Sequence, residues 1–144
     1  MIKIICVGKI KEKFYRDAID EYMMRISKYH KVRIEEVIDS NLVKEKELIL
    51  KHINKKDYII TLEIDGNQLS SLELSNFLDK TMIVNSNITF IIGGSYGLHD
   101  DIKNMADYKL SFSKLTFPHQ LFRVILLEQI YRSFKILNNE SYHK

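Results

Sequence analysis

Two rhythms of apolar and polar residues take turns along this chain, and together they predict ten elements. Met1 to Val7 is a β-branched run, interrupted only by Lys3, that stops at Gly8 and reads as a buried first strand. From Glu12 to Tyr29 the period lengthens. Phe14, Ala18, Tyr22, Ile26 and Tyr29 recur every three or four residues, which is one face of a helix. Val32 to Ile38 returns to a strand pattern, and Asn41 to Ile53 predicts a short helix carrying Leu42, Leu48 and Leu50. Tyr58 to Ile64 is strand-like and is expected to end in a turn at Asp65-Gly66-Asn67. Ser70 and Glu73 have capping-box spacing ahead of Leu72, Leu74, Phe77 and Leu78. Ile88 to Ile92, the most hydrophobic strand, runs straight into Gly93-Gly94.

Three elements follow that loop. His99 to Ala106 suggests a short helix, and Tyr108 to Ser113 alternates Tyr108, Leu110 and Phe112 inward against Lys109, Ser111 and Ser113. Pro118 suits a first helical turn, so Pro118 to Leu137 is read as a long helix. Its apolar residues, from Leu121 and Phe122 to Tyr131 and Phe134, occupy most of the circumference and call for cover on two sides. In so short a chain a second subunit is the expected second cover. Strands alternating with helices specify an α/β fold, a mainly parallel sheet with helices on both faces. Ligands of such sheets bind beyond the carboxyl ends of the strands. That rule brings Leu62–Gly66, Ile92–Gly97 and Ser113–Pro118 to one rim.

Composition narrows the class. With 144 residues, 45% apolar and 28% charged, the chain is expected to form one soluble domain spanning residues 1–144. Only five glycines and one proline interrupt it, so each is expected where its backbone freedom or restraint is needed. Cys6 is the single cysteine, which excludes an internal disulfide framework and a cysteine-based zinc cluster. The opening apolar run is too short for a signal peptide or a membrane span, so a cytoplasmic protein without a membrane partner is expected. The net charge of +3 is unevenly spread: residues 1–56 carry 14 Lys/Arg against 9 Asp/Glu, the rest 8 against 10. Lys9, Lys11, Lys13 and Arg16 concentrate the surplus, and they fit either a solvated helix start or a phosphate-facing patch.

Candidate chemistry gathers late in the chain. Ile91 to Asp100, IIGGSYGLHD, puts two glycines after a buried strand, where a flat ligand or a phosphate can approach the backbone; it is neither a GxGxxG fingerprint nor a P-loop. Read alone, a plain tight turn explains it equally well. Leu110 to Leu121, LSFSKLTFPHQL, offers loop amides to an adenine edge or a carboxylate, or is simply a strand-to-helix connection. His99-Asp100-Asp101 does not converge on one ion, so no metal is expected. Glu63 and Asp65 share one side of a strand without a partner acid or base. The ending Ser141-Tyr142-His143-Lys144 is either a frayed terminus or a group suited to stacking on a base and contacting phosphate.

The strings GGSYGLH (Gly93–His99) and LSFSKLTFPHQLFRVILLEQIYRSFKI (Leu110–Ile136), with the Tyr142-His143-Lys144 ending, resemble the RlmH family of large-subunit ribosomal RNA methyltransferases. Val7-Gly8-Lys9, Lys11 to Tyr15, and Thr61 to Ile64 with Gly66 are similar to it as well, so the likeness spans nearly the whole chain. The segment between Ile38 and Asp57 is shorter than the family pattern. The resemblance implies a SPOUT-class α/β-knot fold with a C-terminal trefoil knot, where the general rule against threaded connections would have given an unknotted sheet. It also implies an S-adenosyl-L-methionine cofactor, a homodimer, and N3 methylation of a pseudouridine in helix 69 of 23S ribosomal RNA within the assembled ribosome.

Carried onto this chain, the family's cofactor positions fall on Leu62, Gly93, Phe112, Ser113, Lys114, Leu115, Thr116 and Phe117. His143 is the candidate catalytic residue, and Arg132, Tyr142 and Lys144 are candidate RNA contacts. Two rival classes are a non-catalytic RNA-binding module, which would have no use for these loops, and a nucleotide-dependent oxidoreductase, which lacks its phosphate fingerprint.

Overall fold

A computed structural model describes residues 1–144. Five strands form one all-parallel sheet in the order β2-β1-β4-β3-β5: β1 (Ile2–Val7), β2 (Val32–Val37), β3 (Tyr58–Gln68), β4 (Ile88–Ile92) and β5 (Tyr108–Ser111). The helices are α1 (Lys13–Ser27), α2 (Leu42–Leu50), α3 (Ser71–Val84), α4 (Asp100–Met105) and α5 (His119–Leu137).

Alternation within β1 shows how both faces are covered. Ile2, Ile4 and Cys6 point into a core shared with Ile19 and Ile26 of α1, Leu74 and Leu78 of α3, and Leu126, Leu127 and Ile130 of α5. Ile5 and Val7 point the other way, into a smaller core with Ile49 of α2 and Ile102 of α4. Burial in the larger core also pushes the Cys6 thiol up to about 12, so it stays a protonated, apolar filler. No helix is long and apolar enough to cross a membrane.

Two expectations are corrected. Asp65-Gly66-Asn67 is not a turn, because β3 continues to Gln68. Leu62 and Asn67 both oppose Leu110 across a register shift, and a Cβ on Gly66 would lie 2.7 Å from the Lys109 carbonyl oxygen. Glycine is required there by close backbone approach. Phe14 does not lie on the buried face of α1; it is 63% exposed, and the face is set by Ile19 and Ile26 with Tyr22 and Met23 against them. The long helix finds much of its cover within its own chain. It lies between α1 and α3, leaving Leu121, Phe122, Val124 and Ile125 half-buried.

Local signals account for the helix starts. Ser70 accepts from the Glu73 amide at 3.1 Å while Glu73 accepts from the Ser70 amide at 2.8 Å, the reciprocal capping box its spacing indicated. His99 caps α4 by accepting from the Asp101 amide at 3.0 Å, so its ring is used structurally. At the opposite end of the sheet, Lys3 and Asp57 are buried together. Asp57 accepts from Lys3 at 3.4 Å, from the Thr89 hydroxyl at 3.1 Å and from the Asn54 amide at 3.0 Å, and Lys3 also donates to the His52 carbonyl.

Candidate functional site

The three rim segments converge. A cavity of about 480 Å³ opens at the carboxyl ends of β4 and β5, beside the register shift within β3, and is lined by Leu62–Asp65, Ile92–Ser95 with Gly97 and Leu98, and Leu110–Ser113 with Leu115–His119. Each wall has a local cause. After β4 the chain folds back on itself, with an antiparallel bridge between Gly94 and Gly97 and the Gly97 amide donating to the Gly94 carbonyl at 3.0 Å. A Cβ on Gly93 would sit 2.5 Å from the Gly97 carbonyl oxygen. Gly93 is therefore demanded first by closure of its own loop, a reason that holds before any ligand is considered.

The third wall is a braced turn. The Ser111 hydroxyl donates to the Ser113 carbonyl at 3.2 Å, and the Ser113 hydroxyl accepts from the Leu115 amide at 3.0 Å. Phe112 meets Phe122 edge-on with centroids 5.0 Å apart, and Phe117 stacks on Phe122 at 6.1 Å, joining the turn to the first turns of α5. Seven of the eight cofactor candidates, Leu62, Gly93, Phe112, Ser113, Leu115, Thr116 and Phe117, line the cavity; Lys114 is exposed and does not.

Sequence reasoning missed part of the lining. Leu98, Lys103 and Phe122 also face the cavity. Lys103 arrives only because α4 folds back over the rim, which no local pattern announces. Glu63 and Asp65, noted only as sharing a strand side, both line it, with Glu63 accepting from the Thr61 hydroxyl at 2.6 Å. The result is an apolar, aromatic chamber with two carboxylates, one ammonium group and the His119 ring at its edge.

The tail candidates form a second group. Glu128 receives the Arg132 guanidinium through both carboxylate oxygens, each at 3.1 Å, and the Tyr142 hydroxyl at 2.9 Å. Arg132 lies 4.8 Å from the centre of the Tyr142 ring and donates to His143 Nδ1 at 3.1 Å. An arginine N–H can only donate, so Nδ1 accepts, and a neutral imidazole then carries its proton on the outward Nε2. Burial, and then the Glu128 carboxylate, push the Tyr142 hydroxyl up to about 12. Glu128 went unnoticed in the sequence, although its spacing of four from Arg132 is a helix-pairing signal. None of Arg132, Tyr142, His143 or Lys144 lines the cavity of its own chain.

An all-parallel α/β sheet with an aromatic chamber at this rim belongs to the class of open α/β proteins whose strand ends form the ligand-binding crevice. Comparison with known proteins is specific. Residues 1–143 match the family described as "Predicted SPOUT methyltransferase". The chain is 52% identical over 157 aligned positions to proteins named ribosomal RNA large subunit methyltransferase H from Clostridium botulinum strain Kyoto (type A2) and strain 657 (type Ba4), covering 99% of each partner. It therefore belongs to the RlmH family of SPOUT methyltransferases. The structure of a probable methylase family protein from Haemophilus influenzae Rd KW20 shares the fold, with a TM-score of 0.59 over 99% of this chain and 70% of that one at 12% identity. The all-parallel sheet is consistent with the knotted SPOUT class.

Proposed function

We propose that this chain methylates large-subunit ribosomal RNA using S-adenosyl-L-methionine, at N3 of a pseudouridine in helix 69 of 23S ribosomal RNA on the assembled ribosome. The observation that carries this reading is the convergence of three separated segments on one chamber in a member of a methyltransferase family. The names of the relatives support the RNA acceptor, and the resemblance in the loops and tail supports the particular base. A ribosomal substrate implies action in the cytoplasm.

The chamber's residues suit this cofactor. Leu62, Phe112 and Phe117 offer apolar faces to an adenine ring, and the Gly93 loop and the Ser113–Thr116 turn offer main-chain groups to its polar edge. Glu63 and Asp65 supply negative charge toward a cationic ligand. When bound, S-adenosyl-L-methionine supplies a methyl group already activated by its sulfonium.

The protein is left with alignment and charge. The acceptor ring must give up its N3 proton, which passes to water, as the new nitrogen–carbon bond forms. Nε2–H of His143 and the guanidinium of Arg132 would stabilise the negative charge on the ring, with Lys144 on phosphate and Tyr142 stacking on a base. That these four residues lie off the chamber of their own chain supports a homodimer in which a partner subunit's tail completes each site. The test is transfer of tritium from labelled S-adenosyl-L-methionine to ribosomes from a strain lacking this protein, with the modified nucleoside mapped. Label at N3 of the helix 69 pseudouridine is expected; cofactor binding without any label in RNA would reject methylation in favour of a binding module.

A further inference from the structure

The basic surplus of the first half has a definite place in the fold, at the mouth of the chamber. Lys9 and Lys11 lie on the connection from β1 to α1, and that connection is fastened to the chamber wall. The Lys11 amide donates to Gln120 Oε1 at 3.0 Å, and a Cβ on Gly8 would meet His119 Nε2 at 3.7 Å, where His119 itself lines the chamber. Arg16 braces the connection from the other side, donating to the carbonyls of Ile10 and Lys11 at 3.4 and 3.3 Å.

Two features separate this lip from an ordinary solvated helix start. Lys13 is neutralised by Asp17 at 2.7 Å. Lys9 and Lys11, in contrast, are exposed and take part in none of the protein's ion pairs. Helix α1 also begins without a side-chain cap hydrogen bond and with no acidic residue in its first turn, so the Glu12 carboxylate at its N-cap is the one local group that offsets its positive end. The second feature is aromatic. Phe14 is 63% exposed with Tyr15 tilted against it, centroids 4.4 Å apart, although the helix pattern assigns it to the buried face. Uncompensated cations beside an exposed ring match the chemistry of unpaired RNA, which presents phosphates and bases together.

We propose that Lys9, Lys11 and Phe14 form an RNA-docking lip, with the two lysines on phosphates flanking the target nucleotide and Phe14 stacked on an unpaired base. The proposal rests on the ribosomal RNA reading above and adds the surface by which the substrate is held.

The test compares wild type with K9E/K11E and with Phe14→Ala, measuring methyl transfer to ribosomes, direct binding to the same particles by co-sedimentation, and cofactor affinity by calorimetry. In the lysine variant, ribosome affinity and kcat/KM are expected to fall about tenfold or more near physiological salt, and the log–log salt slope to flatten by about 1.5 to 2. Phe14→Ala is expected to lose about five- to tenfold in ribosome affinity with an unchanged salt slope. Cofactor affinity stays at the wild-type value in both. Unchanged ribosome affinity and salt slope in K9E/K11E would overturn the lip. A wild-type protein that binds ribosomes through Lys9 and Lys11 yet transfers no methyl group would instead overturn the catalytic reading and leave the lip standing.

Discussion

The two ends of the sheet treat polar groups in opposite ways. At the amino ends of the strands, Lys3 is 1% exposed and Asp57 7%, and their charges are spent on each other, on Thr89 and on main-chain groups. At the carboxyl ends, Glu63, Asp65, Lys103 and His119 line an open chamber and make no ion pair with one another. One end is closed and pairs its charges within the chain, although Asp57 Oδ1 is left buried without a partner, while the other keeps its polar groups unpaired with one another. An α/β layer allows this split because strand ends are the only places where sheet backbone and incoming loops meet without a covering helix.

Breaking the closed end should have the largest effect. Asp57→Ala leaves the Lys3 ammonium buried without its carboxylate, and removing one partner of such a pair costs about 3–5 kcal/mol. Thermal or urea unfolding should show that loss, while calorimetry on the folded fraction shows unchanged cofactor affinity. Replacing both partners together, as K3M/D57L, should recover most of the stability, since a buried pair is roughly exchangeable for well-packed apolar residues. A cofactor affinity that falls together with stability in Asp57→Ala would dissolve the division between the two ends.

The sequence revealed these two ends unequally. Every strand and helix was visible, β1 and β4 as continuous apolar runs buried on both faces and most of the others as a change of period. The rim was visible because strand ends and glycine-rich or aromatic loops mark themselves locally, which is why Leu62–Gly66, Ile92–Gly97 and Ser113–Pro118 were brought together, whereas the individual cofactor positions came from the family resemblance. What depends on long-range approach was not visible. Asp65-Gly66-Asn67 has the composition of a turn, and only the closeness of the Lys109 backbone shows that it is strand. Lys3 in a fully buried run demanded a partner, but nothing nearby identified Asp57 as that partner. Lys103 depends on the fold of α4, and Phe14 on where α1 begins relative to its own apolar face.

The chamber and the tail can be separated next. His143→Ala should lower methyl transfer to ribosomes by about a hundredfold, the usual contribution of one hydrogen-bond donor aimed at developing negative charge, with cofactor affinity unchanged. Near-normal turnover would remove His143 from the chemistry. Gly93→Ala should give the converse pattern. A methyl group pressed against the Gly97 backbone forces the loop to shift, at about 1–3 kcal/mol, so cofactor affinity should drop about tenfold or more when measured by calorimetry. Unfolding of Gly93→Ala should cost less than in Asp57→Ala, because the open end has room to yield. The reverse order of stabilities would mean that the rim, not the buried pair, holds the sheet together.

The smallest effect is expected where charge is paired but exposed, at the root of the tail. Glu140 accepts from the Tyr29 hydroxyl at 2.9 Å and from Lys135 at 2.9 Å, tying the tail to the turn after α1 and to the last turn of α5. These bonds, the Lys135 one foremost, hold the Glu140 carboxyl below its ordinary value of 4.5. A carboxyl depressed in the folded state contributes its stabilisation above the unfolded value and loses it as pH falls through the folded one. Protection of residues 139–144 against hydrogen exchange, taken relative to the intrinsic exchange rate at each pH, should therefore be steady from neutrality down to the ordinary glutamate range and fall only at more acid pH. Glu140→Gln should show modestly faster exchange throughout and a flatter acid limb, with global unfolding little changed because the clamp is solvent-screened. An acid limb of unaltered shape in Glu140→Gln would assign the titration to another group. Exchange at residues 139–144 indifferent to the substitution would show that Tyr142 and Glu128 alone hold the tail.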